Sequence, residues 1–115
     1  MYRIAKSFTF SASHMIDGLP EGHKCRRLHG HNYVVEFVLA AEQLDDVDMV
    51  RDYGNLEAAE NEVTTLDHQH LNDIIDSTTA EALSMYLFRR VVLSIPELVA
   101  VRVSEGNNTW AEYSV

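Results

Sequence analysis

The sequence predicts an α+β fold of order ββααββ, and three changes of hydrophobic period predict it. Apolar residues alternate over residues 2–14 and 29–39, recur at helical spacing between residues 52 and 91, and alternate again from residue 99. A four-stranded antiparallel sheet with two helices on one face buries such a pattern. At 115 residues the chain has the size of one domain, spanning 1–115, with no internal repeat or linker.

In the first segment Tyr2, Ile4, Phe8, Phe10 and Ala12 share one face, and Arg3, Ser7, Thr9, Ser11 and Ser13 the other. That is a half-buried strand. Asp17, Gly18, Pro20 and Gly22 mark a loop carrying Cys25, and a second alternating run follows from His29 through Tyr33, Val35, Phe37 and Leu39. The two strands are expected to pair antiparallel. From Asp52, placed where an N-cap belongs, Leu56, Ala59, Val63 and Leu66 fall at helical spacing. Asp67 to Ser77 reads as a polar turn. Thr78 and Glu81 then form a capping box ahead of Leu83, Tyr86, Leu87 and Val91, in a second helix ending near Pro96. Val99, Val101 and Val103 alternate with Ala100 and Arg102, Gly106 and Asn107 signal a turn, and Thr109 to Val115 forms the last strand. The outer edges of this sheet are unpaired, a liability in a monomer, so strand pairing between subunits is expected to close a larger barrel.

Composition narrows the partners. Eighteen acidic and nine basic side chains give a formal net charge of −9, which disfavours nucleic acid and anionic membranes. Lys24, Arg26 and Arg27 nevertheless crowd around Cys25, a patch that either attracts a small anionic substrate or is a solvated loop. There is no apolar run of eighteen residues and no basic-then-apolar start, so a soluble, cytoplasmic protein is expected. The single cysteine, Cys25, cannot form an internal disulfide and is free to be a thiol, a ligand or a nucleophile.

His29 and His31 stand two apart on a strand, so both project from the apolar face continued by Tyr33, Val35 and Phe37. His14 has the parity of Phe8, Phe10 and Ala12 and also points inward. One histidine alone is more often a hydrogen-bonded core or surface residue. Three inward imidazoles at strand ends suit one zinc ion and leave a tetrahedral position open, the arrangement of a catalytic site. Gly30 between two of them permits close backbone approach. His23 is expected to be solvated, and His68 and His70 read as turn residues outside the triad.

Four ordered motifs carry a family resemblance along nearly the whole chain. Phe8-Thr9-Phe10-Ser11-Ala12-Ser13-His14 and Cys25-Arg26-Arg27-Leu28-His29-Gly30-His31-Asn32-Tyr33 are the first two. Leu66-Asp67-His68-Gln69-His70-Leu71-Asn72 and Ser77-Thr78-Thr79-Ala80-Glu81 are the others. Together they resemble the 6-pyruvoyl-tetrahydropterin synthase and 6-carboxytetrahydropterin synthase group, and the short Cys25 to His29 spacing is similar to its bacterial carboxy-forming members. The resemblance implies the tunnelling fold, with trimers closing a barrel and two trimers stacking into a hexamer. It implies conversion of 7,8-dihydroneopterin triphosphate to 6-carboxy-5,6,7,8-tetrahydropterin with release of acetaldehyde and triphosphate, in queuosine and 7-deazapurine synthesis.

The same resemblance assigns roles. Zinc on His14, His29 and His31 would stabilise negative charge on the substrate's side-chain oxygens. Cys25 would be the base; a free thiol has a pKa of about 8.5, and cationic neighbours favour its thiolate. Asp67 and His68 would complete a proton relay from an adjacent subunit, with His70 as the alternative imidazole. Glu105 continues the inward parity of Val99, Val101 and Val103, a costly place for a carboxylate without a partner. A pterin's two-donor edge matches it, and Thr78 and Thr79 would contact the same ring. Gly106, where relatives often carry a hydroxyl residue, and the short Asn72 to Thr78 connection depart from the family pattern. Two other readings remain: the pyruvoyl-forming enzyme, which would keep the three-carbon side chain, and a non-catalytic zinc-binding assembly protein with Cys25 as fourth ligand.

Overall fold

Strands β1 (Tyr2–His14) and β2 (His29–Ala41) form one antiparallel arm with unbroken register from Tyr2 opposite Ala41 to His14 opposite His29. Inward residues therefore face inward residues: Phe8 meets Val35, Phe10 meets Tyr33, and Ala12 meets His31. A slip by one position would turn every one of these side chains to the opposite face. The computed structural model describes residues 1–106 and 108–115; Asn107, half of the expected last turn, lies outside the described residues.

Helix α1 (Glu57–Leu66) is followed by the short strand β3 (Gln69–His70), helix α2 (Ala80–Val91), β4 (Leu98–Ser104) and β5 (Ala111–Ser114). The sheet runs β3-β1-β2-β4-β5, with every pairing antiparallel except β3 on β1. The α+β class holds, but the expected four-stranded antiparallel sheet is a mixed sheet of five strands. Two residues in a polar run carry no period, so β3 gives no hydrophobic signal. It forms because the outer edge of β1 presents backbone groups that need partners. Apart from Ala12 and Ser13, which pair with β3, that edge has no strand partner among the described residues.

The helices cover one face of the sheet. Leu56, Ala59, Val63, Leu66, Leu83, Leu87 and Val91 meet Phe10, Tyr33, Val35, Phe37, Leu39, Val101 and Val103 in one buried cluster. The opposite face is polar and uncovered by helix: Ser11 donates to Asn32 Oδ1 at 2.7 Å, and the Arg102 guanidinium stacks 3.7 Å from the Trp110 ring centroid. No described helix is long and apolar enough to cross a membrane.

Both expected helix caps move. Asp52 caps nothing; its carboxylate accepts from Gly54 N–H at 2.8 Å in a local turn, and α1 begins at Glu57 after Leu56, which offers no side-chain cap. In α2 the capping residue is Thr79, whose hydroxyl accepts from Ala82 N–H at 3.1 Å. Glu81 is then one position too early for a reciprocal box. Thr78 is released for another contact: its hydroxyl donates to the Met15 carbonyl.

Leu71, fully buried directly after β3, anchors the segment from Asp67 to Asn72 against the core. Leu71→Ala should lower unfolding free energy by about 2–5 kcal/mol. Urea titration followed by circular dichroism measures it, and an unchanged midpoint would show that this segment is not packed as described.

Candidate metal centre and its surroundings

The register of β1 and β2 decides where three imidazoles go. His14 ends β1 opposite His29, which begins β2, and His31 follows on the same face opposite the small Ala12. Their candidate ligand nitrogens lie within 4.8 Å of one another. A Cβ on Gly30 would stand 3.3 Å from the Ala12 carbonyl oxygen, so glycine keeps the two strands close between the two β2 histidines. Below lies Tyr33, fully buried, its ring edge-on to those of His14 and His31. Burial pushes the Tyr33 hydroxyl well above its ordinary pKa of 10, so it stays protonated.

Backbone carbonyls set the tautomers. His14 Nδ1 donates to the Thr78 carbonyl at 2.9 Å and His29 Nδ1 to the Arg27 carbonyl at 2.7 Å. A carbonyl only accepts, so the proton sits on Nδ1 and Nε2 presents a lone pair. His14 is completely buried, and its Nε2 has no hydrogen-bond partner. Burial holds the His14 pKa below the usual 6.5, ahead of the opposing pull of the Thr78 carbonyl, so the ring is neutral. An orphaned, buried, neutral imidazole nitrogen beside two more imidazoles is the donor set zinc takes. The residues present fit that ion.

Glu105 extends from the end of β4 to the same place: its Oε2 lies 3.5 Å from His31 Nε2 and 3.7 Å from His14 Nε2. It also borders a 190 Å3 recess with Ala80, Val103 and Trp110. Next to it, Gly106 has φ of 91°, and a Cβ there would meet the Asn32 carbonyl oxygen at 2.7 Å. The departure from a hydroxyl residue at this position thus has a local cause: this turn admits only glycine without rearrangement. Thr78 is buried and contributes its carbonyl to His14.

Cys25 sits in a short 3-10 turn (Lys24–Arg26) that leads into β2, and its side chain is half-buried. His23, expected to be solvated, is exposed yet accepts from the Cys25 N–H at 3.1 Å. The Cys25 carbonyl accepts from Ile16 N–H at 3.0 Å, which ties the turn to the end of β1. Among the basic neighbours, the Arg26 guanidinium donates to the Leu19 carbonyl. Cys25 is not in the group formed by the three histidines.

Asp67 and His68 lie elsewhere. Asp67 Oδ2 is 3.0 Å from His68 Nδ1, and its Oδ1 accepts from the Ser11 N–H at 2.9 Å. The Ser11 hydrogen bond first and His68 second hold the Asp67 carboxyl below its ordinary range. His68 N–H donates back to the Ser11 carbonyl, with φ at 58°. His70 is occupied differently, its Nδ1 3.0 Å from the Ser13 hydroxyl. These histidines border a 430 Å3 depression with Ser11, Ser13, Asn32 and His31, and the His68 side chain is 81% exposed. His14 reaches the helix side through the Thr78 carbonyl, and His31, of the same three-histidine group, borders the depression that His68 and His70 line.

One positioning residue carries no metal or acid-base signal in the sequence. Asn72 accepts from Met15 N–H and donates to the Met15 carbonyl, both at 2.9 Å. A primary amide is the complement of a peptide group, so Asn72 pins the backbone just beyond His14 as a strand would. Its only signal was its place in the Leu66 to Asn72 motif. Asn72→Ala should cost about 1–3 kcal/mol because the Met15 N–H loses its partner and the Met15 carbonyl keeps only the Thr78 hydroxyl. An unchanged urea midpoint would remove Asn72 from that role.

The His14 shift has a pH consequence. Its pKa is lowered only in the folded chain, so below about pH 6.5 the unfolded chain binds the extra proton and folding stability falls. The urea midpoint of metal-free protein should be lower at about pH 5.5 than at about pH 7.5, and His14→Gln should flatten the difference. Equal slopes in the two proteins would contradict it.

Comparison with known proteins agrees with this geometry. A family model described as 6-pyruvoyl tetrahydropterin synthase matches residues 3–115. A putative 6-carboxy-5,6,7,8-tetrahydropterin synthase of Archaeoglobus fulgidus is 34% identical over 110 residues, covering 95% of this chain and 92% of that protein. The 6-carboxy-5,6,7,8-tetrahydropterin synthase of Synechocystis sp. is 34% identical over 122 residues, covering 98% and 93%. The structure of Caenorhabditis elegans 6-pyruvoyl tetrahydropterin synthase matches with a TM-score of 0.86 at 23% identity, covering 99% and 95% of the two chains, which shows a common fold. With the match running through every motif that builds the site, the chain belongs to the 6-pyruvoyl tetrahydropterin synthase family.

Proposed function

We propose that this protein is a zinc-dependent enzyme converting 7,8-dihydroneopterin triphosphate and water to 6-carboxy-5,6,7,8-tetrahydropterin, with release of acetaldehyde and triphosphate. The observation that carries the reading is the group of three imidazoles with a buried, partnerless His14 Nε2 and the Glu105 carboxylate beside it. The names of the two relatives at 34% identity favour the carboxy-forming reaction.

His14, His29 and His31 would hold zinc, which supplies a Lewis acid stabilising negative charge on the substrate's side-chain oxygens. Glu105 would accept hydrogen bonds from the ring N–H and exocyclic amine of the pterin, with Thr78 and Thr79 near the same ring. Cys25 Sγ would take the proton from the side-chain carbon. Asp67 would hold His68 by Nδ1, leaving Nε2 to exchange a proton with the substrate. Asp67 and His68 are bonded to each other and to Ser11 outside the three-histidine group, and the relay would serve the site of a neighbouring subunit. The open edge of β1 favours the same arrangement: a homo-oligomer, trimeric or hexameric, with sites between subunits. The reaction would be cytoplasmic and feed 7-deazapurine or queuosine synthesis.

Incubating metallated protein with dihydroneopterin triphosphate and identifying products by mass tests the reaction. Acetaldehyde and the carboxylated pterin are expected; a retained three-carbon side chain would reassign the chain to pyruvoyl formation, and no consumption would sink both. Cys25→Ala should keep its zinc and lose about 10²-fold or more in turnover. Loss of metal together with unfolding would make Cys25 a structural ligand instead.

A further inference from the structure

The Glu105 carboxylate raises a question that pterin binding does not answer. Its Oε2 stands 3.7 Å from His14 Nε2 and 3.5 Å from His31 Nε2, beyond the hydrogen-bonding range of about 2.7–3.2 Å. No proton is available to bridge the first pair: His14 carries its hydrogen on Nδ1, where it donates to the Thr78 carbonyl. A carboxylate lone pair therefore faces an imidazole lone pair at a buried atom. Two acceptors placed face to face repel unless a cation lies between them.

The spacing is that of donors sharing one metal. Zinc takes nitrogen at about 2.0–2.1 Å and carboxylate oxygen at about 2.0–2.2 Å, which puts neighbouring donors of a tetrahedron about 3.3–3.5 Å apart. The Glu105 distances to His14 and His31 match that edge or exceed it slightly. Glu105 is outside the group whose ligand atoms all lie within 4.8 Å of one another, so full coordination needs a further movement of its carboxylate towards His29. Glu105 has that freedom, because it stands one residue past the end of β4 and is 29% exposed.

We propose that Glu105 is an exchangeable fourth ligand: in the absence of pterin its carboxylate completes the metal centre with His14, His29 and His31, and pterin binding draws it onto the ring's N–H edge. The first half needs only the fit of the metal to this chain. The second half rests on the reading of Glu105 as the pterin anchor. Recognition of the ring would then vacate the position that the substrate's side-chain oxygens require, and ring recognition would precede metal access.

Cobalt(II) substituted for zinc reports coordination through its visible absorption without any turnover. Wild-type protein should give a band position that changes in Glu105→Gln and Glu105→Ala, with metal affinity, measured by competition with a chromophoric chelator, falling by about tenfold or more. Glu105→Asp, which keeps the carboxylate on a shorter arm, should recover part of that affinity; it also controls for folding. Unsubstituted pterin, which has no side-chain oxygens, should move the wild-type band towards that of Glu105→Ala. Unchanged bands and affinities in both neutral variants would overturn the proposal. Pterin that binds, by fluorescence quenching, without moving the wild-type band would overturn the exchange. Pterin that fails to bind would instead count against the functional reading and leave the resting-state ligand to the cobalt spectra alone.

Discussion

Everything at this site depends on the register of one hairpin. With β1 and β2 paired without a bulge along their whole length, His14 faces His29 and Ala12 faces His31. Gly30 lets the two strands approach between His29 and His31, because a Cβ there would crowd the Ala12 carbonyl oxygen at 3.3 Å. The apolar core fixes this register from the other end, because Phe8, Phe10, Tyr33, Val35 and Phe37 can be buried only in the same alignment. Hydrophobic burial at the other end of the hairpin thus sets the geometry of the three imidazoles.

Backbone groups do the finer positioning. The Thr78 carbonyl, just ahead of α2, and the Arg27 carbonyl, just before β2, assign the tautomers of His14 and His29. Asn72 and the Thr78 hydroxyl hold Met15, the residue after His14. The segment between α1 and α2 is therefore a frame for the end of β1 rather than a simple connection. His68 keeps a left-handed backbone within this frame, a conformation that histidine tolerates better than most side chains. The exchange of hydrogen bonds among Ser11, Asp67 and His68 offsets its strain.

Two kinds of environment meet at this end of the sheet. His14 is buried and held neutral by desolvation, while Asp67 is kept ionised by the Ser11 N–H and His68 beside an exposed imidazole. Among the described residues, β1 pairs with β3 only at Ala12 and Ser13, which leaves most of that edge's backbone groups without a strand partner.

The sequence by itself determined the α+β class, the two long strands and the inward parity of His14, His29, His31 and Glu105, because alternation and helical spacing are local properties of side chains. It also carried the motifs that mark the family. Only the tertiary structure decided that Asp52 and Thr78 are not caps, since Ser, Thr and Asp side chains serve turns, caps and long-range contacts with equal chemistry. The same holds for β3 and Asn72, whose partners lie on β1 and at Met15, far away in the chain. Likewise, parity could turn Glu105 inward, but only the packing of β4 beside β2 could place its carboxylate against His14 and His31. Periodicity reports which way a residue points; distance between residues remote in sequence is set when the chain folds.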